Sequence, residues 1–157
     1  MHRQINLLVY PTRGSKGNGT RAHWALFIPS STSSTQGTLI QVLGTPFTGY
    51  ELEFKRGYEL DDVKEKFSTF FPRRGGGDPC WGRRGEGTDI LARDEVEREA
   101  KKVEVPGVSR EPLNPDVGRR CQEWTRELVQ RLVGRNILPE SALLVLDEAK
   151  RLENVGV

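Results

Sequence analysis

Two spacings of apolar residues run along the chain. Up to about position 60 they recur every second residue in short runs, and toward the end every third or fourth. The runs "INLLVY" (5–10), "HWALFI" (23–28), "GTLIQVLG" (37–44) and "YELEFKRGYEL" (50–60) predict four strands. In the second, Trp24, Leu26 and Ile28 point one way and Ala25 and Phe27 the other. In the fourth, Tyr50, Leu52 and Phe54 alternate with Glu51, Glu53 and Lys55. The connections between these runs are polar, rich in Gly and Ser and of hairpin size, which predicts an antiparallel sheet. "DDVKEKFSTFF" fits either a short helix or the approach to a fifth strand.

Helical spacing takes over later. "DILARDEVEREAKKV" (89–103) predicts a short helix starting near Asp89 or Asp94. In "DVGRRCQEWTRELVQRLVGRNIL", Cys121, Trp124, Leu128 and Leu132 fall on one helical face, with Pro115 and Asp116 as start signals and Gly134 and Asn136 as stop signals. "PESALLVLDEAKRL" predicts a last helix, with Pro139 and Glu140 favourable at its first turn. Strands first and long helices last is an α+β order, expected here as an antiparallel sheet packed against the Cys-bearing helix. Between the halves lies "PRRGGGDPCWGRRGEGT" (72–88), with six glycines, two prolines and four arginines. Such a segment buries too little apolar surface to offset its ordering entropy, so a flexible insert is expected within a single 1–157 domain.

Bulk composition narrows the partners. The 157 residues carry a net charge of +2, too small to mark nucleic acid or an anionic membrane as the default partner. No stretch approaches the roughly 18 apolar residues of a membrane-spanning helix, and "MHRQINLLVY" is too short an apolar run for a secretory signal. The two cysteines, Cys80 and Cys121, form no disulfide framework and no zinc spacing, so reduced thiols, a cytoplasmic setting, no metal and no cofactor are expected. Cys80 in "GDPCWG" has no assigned role. The arginine-glycine insert reads most simply as a solvated loop; a lid over a cleft or an RNA contact are its other readings.

The candidate chemistry gathers on three residues. Cys121 comes within the first turn or so of a helix, where N–H groups and the macrodipole favour a thiolate, and Arg119 and Arg120 add charge nearby. His23 opens the second strand. Pairing Ile28 near Gly37 sets His23 opposite Val42 or Gln41, and Gln41 then reaches one ring nitrogen and leaves the other for the thiol. That is a nucleophile, base and orienter. Each residue also has a plain structural reading: a lone Cys on an apolar helix face packs, and a polar residue on a strand needs no role. Gln122 suits an oxyanion site or a solvent-facing position equally. Tyr10 either hydrogen-bonds in the cleft or packs, and Trp24 and Trp124 read as core.

"HWALFI", "GTLIQVLG" and "RRCQEWTRELVQRL" together resemble the circularly permuted papain-like fold, in the lecithin:retinol acyltransferase-like branch of the NlpC/P60 superfamily. His23 matches the His that opens a strand, Gln41 the polar residue on the next strand, Cys121 the nucleophile heading a helix, and Trp124 the aromatic after it. The order of motifs is also similar to that of a group of small, mostly uncharacterised fungal proteins. The resemblance covers residues 20–60 and 115–135. It departs where Gln41 replaces the usual second His and Arg120 the common Asn. It implies a cysteine-dependent acyl-transfer enzyme, hydrolase or acyltransferase, acting on an amide, ester or thioester of a small molecule or peptide, with specialised metabolism as a setting. Lacking the apolar C-terminal anchor of the membrane-bound acyltransferases, the chain is expected to prefer a non-lipid substrate. A catalytically inactive binding module of the same fold is the alternative.

Overall fold

The structure, a computed structural model, describes residues 5–10, 22–30, 32, 33, 35–60, 66–70, 87–114 and 117–154. The expected insert lies outside the described residues over 72–86, and Cys80 with it. Among the described residues, six strands, β1 (Ile5–Tyr10), β2 (His23–Pro29), β3 (Gln36–Thr45), β4 (Gly49–Glu59), β5 (Lys66–Phe70) and β6 (Gly87–Asp89), form one antiparallel sheet ordered β5-β1-β2-β3-β4-β6. Three helices follow, α1 (Glu95–Lys102), α2 (Cys121–Gly134) and α3 (Ser141–Asn154). The α+β order read from the sequence is the order observed. Among the described residues no helix is long and apolar enough to cross a membrane.

Alternation gives the sheet two different faces. Ile5, Leu7, Trp24, Leu26, Ile28, Ile40, Val42 and Phe54 pack with Val96 and Ala100 of α1 and with Trp124, Leu128, Val129 and Leu132 of α2. The other face carries a smaller cluster of Leu8, Ala25, Phe27 and Leu39, flanked by Tyr10, Tyr58 and Leu60. The large core therefore lies between sheet and helices, with Trp24 and Trp124 fully buried in it.

Three boundaries differ from the expected ones. Residues 87 and 88 belong to β6, paired with Arg56 and Lys55 of β4, so the insert is shorter than its composition implies. The α2 helix begins at Cys121 itself. Glu123 reaches back to the Arg120 backbone N–H at 3.0 Å, half of a capping box, and the Arg120 guanidinium bonds the carbonyls of Pro112 and Asn114 in the preceding loop. Pro115 and Asp116 lie outside the described residues. The β2–β3 pairing sets Pro29, not Ile28, across from Gly37. A backbone bond from Ser30 to the Gln36 carbonyl (2.8 Å) closes this hairpin, and Ser30 Oγ accepts from the Ser33 N–H inside the loop, extending β2 through Pro29.

Gly37 is required by that closure. A β-carbon there would stand 2.8 Å from the Pro29 Cα and closer still to the Ile28 carbonyl oxygen, both backbone atoms unable to move aside. Gly37→Ala is expected to cost about 1–3 kcal/mol, as overpacking does, and to lower the urea midpoint at unchanged m-value. An unchanged midpoint would contradict the hairpin geometry.

Candidate functional site: a histidine–glutamine pair beside a helix start

The strand registers bring His23 and Gln41 together. Continuing the β2–β3 pairing from Leu26↔Ile40 sets Ala25 level with Gln41 and His23 level with Leu43. Gln41 is thus the diagonal neighbour of His23 on one face, whereas the Ile28–Gly37 pairing set Val42 or Gln41 opposite His23. Diagonal positions lie within reach of long side chains. His23 Nε2 and Gln41 Oε1 are 2.9 Å apart. Gln41 is buried, and its Nε2 donates to Glu53 Oε1 at 3.4 Å, from the residue directly across on β4. Tyr10 pairs with His23 on β1; the two rings are 5.6 Å apart, and the Tyr10 hydroxyl is 2.8 Å from that of Tyr58. Burial pushes the His23 ring below its ordinary value, and the Gln41 bond opposes this only in part. The imidazole is therefore neutral at pH 7, the state of a general base.

Cys121 arrives from the other side. It is the first residue of α2 and packs in the large cluster with Ala22, Trp24 and Trp124. The contacts of His23 with Gln41 and Tyr10 lie on the face of Ala25 and Leu39. The two groups lie on opposite faces of the sheet, and the head of β2, where α2 is fastened, is what joins them. Gln122 Nε2 donates to the carbonyl of Ala22, the residue before His23, at 2.9 Å, and Gln122 Oε1 accepts from Lys150 of α3 at 2.9 Å. Gln122 is buried, and these bonds make it a tether joining α3, α2 and β2. The charges next to Cys121 are engaged too: Arg119 bonds Glu127 and the Glu104 carbonyl, while Arg120 bonds the loop carbonyls described above.

A groove of about 520 Å³ opens at the same end of the sheet, lined by Leu43, Tyr50 and Glu51 from the β3–β4 hairpin and by 105–108. Backbone bonds of Tyr50 to Pro106 and of Ser109 to Pro46 hold that second wall in place. Among the described residues no three His, Cys, Asp or Glu side chains are placed to hold a metal ion. Glu53 is the site residue that sequence reasoning passed over. Alternation marks it as outward-facing, and only the hairpin register that pairs 41 with 53 connects it to Gln41.

Fold and site together define an α+β protein whose sheet carries a hydrogen-bonded His–Gln pair beside the start of a Cys-headed helix. The chain belongs to the family of unknown function DUF6540, matched over residues 8–139, a span that holds His23, Gln41, Glu53 and Cys121. No curated protein and no solved structure matches it.

Proposed function

We propose that the protein is a cysteine-dependent acyl-transfer enzyme of the permuted papain-like kind, with Cys121 as nucleophile, His23 as base and Gln41 as orienter. The observation that carries this is the His23–Gln41 bond, made by Nε2 at the strand end to which Gln122 ties the first turn of α2. Cys121 Sγ attacks an ester, thioester or amide carbonyl as its proton passes to His23 Nδ1, and the carbonyl π pair moves to oxygen. Backbone N–H groups at the start of α2 hold that oxyanion. Collapse expels the leaving group, which takes the proton from His23. Water, an amine or an alcohol then gives a proton to His23 and displaces the thiolate, which takes that proton back from His23. The groove beside Leu43 receives the part of the substrate next to the carbonyl.

The test uses p-nitrophenyl acetate as a minimal acyl donor. A burst of p-nitrophenolate is expected, with one acetyl group located on Cys121 by peptide mass spectrometry, and Cys121→Ala shows no burst. Acetyl groups spread over lysines or carried by Cys80, with Cys121 unmodified, would sink the proposal. The observation favouring a second reading is that His23 and Cys121 belong to different faces of the sheet. In a binding module this arrangement is permanent, and a folded wild-type protein gives no burst.

A further inference from the structure

We infer that Glu53 is a positioning residue that fixes the tautomer of His23 through Gln41. An ionised carboxylate only accepts hydrogen bonds, whereas a primary amide has a donating end and an accepting end. Glu53 lies directly across β3–β4 from Gln41, within 3.4 Å of its nitrogen. The carboxylate therefore draws the NH2 of Gln41 toward itself and turns the carbonyl toward His23, 2.9 Å from Nε2. A carbonyl facing Nε2 requires the proton to sit there, so neutral His23 has a bare Nδ1. Gln41 alone lacks this selectivity. With its amide turned over, the NH2 would face Nε2 and the proton would move to Nδ1, removing the acceptor. The inference gives the β4 carboxylate a task at a distance: it orients the orienter. Its bearing on catalysis rests on the reading of Cys121 and His23 above, but the tautomer itself does not.

The experiment reads the tautomer directly. In 15N-labelled protein at pH 8, long-range 1H–15N correlations distinguish the two ring nitrogens, and a His2→Gln variant assigns the signals, since the chain has only two histidines. Wild type is expected to show the Nε2–H form of His23. In Glu53→Lys the new ammonium donates to the Gln41 carbonyl, the amide turns over, and His23 becomes Nδ1–H. A folded Glu53→Lys protein that keeps the Nε2–H form overturns the inference, as does a wild type already in the Nδ1–H form. Should Glu53→Lys not fold, Glu53→Met serves instead. Freed from its anchor, Gln41 then lets the His23 Nε2 proton exchange about fivefold faster or more, the factor one typical hydrogen bond carries; unchanged exchange overturns the inference. None of these signals depends on Cys121. A tautomer that switches while p-nitrophenyl acetate leaves wild-type Cys121 untouched upholds Glu53 and removes the acyl-transfer proposal instead.

Discussion

Replacing His23 with alanine is expected to slow acylation of Cys121 by p-nitrophenyl acetate at pH 7 by about 10²–10⁴-fold, the range a positioned general base supplies. The pH profile carries the stronger part of this prediction. Burial holds His23 below its ordinary value of about 6.5, so the ring is deprotonated and competent across neutral pH. The wild-type rate should rise with pH through an acid limb whose midpoint lies below 6.5, then level off. Gln41→Leu removes a bond that supports the charged ring, so its limb should move further down while the plateau falls. The same shift is linked to stability. An unfolded chain binds a proton at His23 more readily than the native protein, so the contribution of His23 is fully present above about 6.5 and is lost as pH falls through its lower native value. A His23→Ala profile that superimposes on wild type would show that the ring never meets the thiol around the end of β2, and the binding module would then be the better account.

What the sequence revealed of this arrangement followed from periodicity, and what it hid followed from long-range pairing. Every buried position predicted for β2 and α2, from Trp24 to Leu132, is buried, because alternation and helical spacing are properties of the segment alone. The His23–Gln41 approach was foreseeable to within one register step, since a hairpin leaves few choices; the error came from side-chain bonds of Ser30 inside the loop. The start of α2 falls after Pro115 and Asp116 because its N-cap is Arg120, a residue type outside the usual N-cap set, whose guanidinium is held by the carbonyls of Pro112 and Asn114 in the preceding loop. The division of His23 and Cys121 between faces was equally hidden. Each element showed an apolar stripe, but nothing local said which face of the sheet α2 would cover.

The end of the insert was misread for an electrostatic reason, and that reason yields the largest expected loss of stability. Arg56 of β4 points to the helix side, where its side chain is 4% exposed. It bonds Glu97 of α1, which is 1% exposed, Asp89 of β6 at 3.0 and 3.2 Å, and the Leu91 carbonyl at 2.9 Å. Burial works against the Arg56 charge, but the bonds to Asp89 and Glu97 outweigh it and hold the guanidinium above its ordinary value; Arg56 in turn holds the Asp89 carboxyl down. These contacts draw 87–89 onto the edge of the sheet, where glycine-rich composition alone predicts no strand. Arg56→Met leaves Glu97 buried without its cation and should cost about 3–5 kcal/mol, a large part of the roughly 5–15 kcal/mol that holds a domain together. Adding Glu97→Gln removes the orphaned charge yet keeps an acceptor for the Arg93 N–H, now 2.7 Å from Glu97. The double variant should therefore be more stable than Arg56→Met alone, with a coupling of about 1–3 kcal/mol. Urea denaturation of the four proteins in the cycle measures both quantities. The loss should persist in 1 M salt, because screening acts on exposed pairs such as Arg151–Glu148 far more than on a buried one. An Arg56→Met protein within about 1 kcal/mol of wild type, the range of exposed ion pairs, would mean that water reaches Glu97 and that the β4–α1 junction opens in solution. Glu53 lies three residues from Arg56 on the same strand, so that opening would loosen its hold on Gln41 as well.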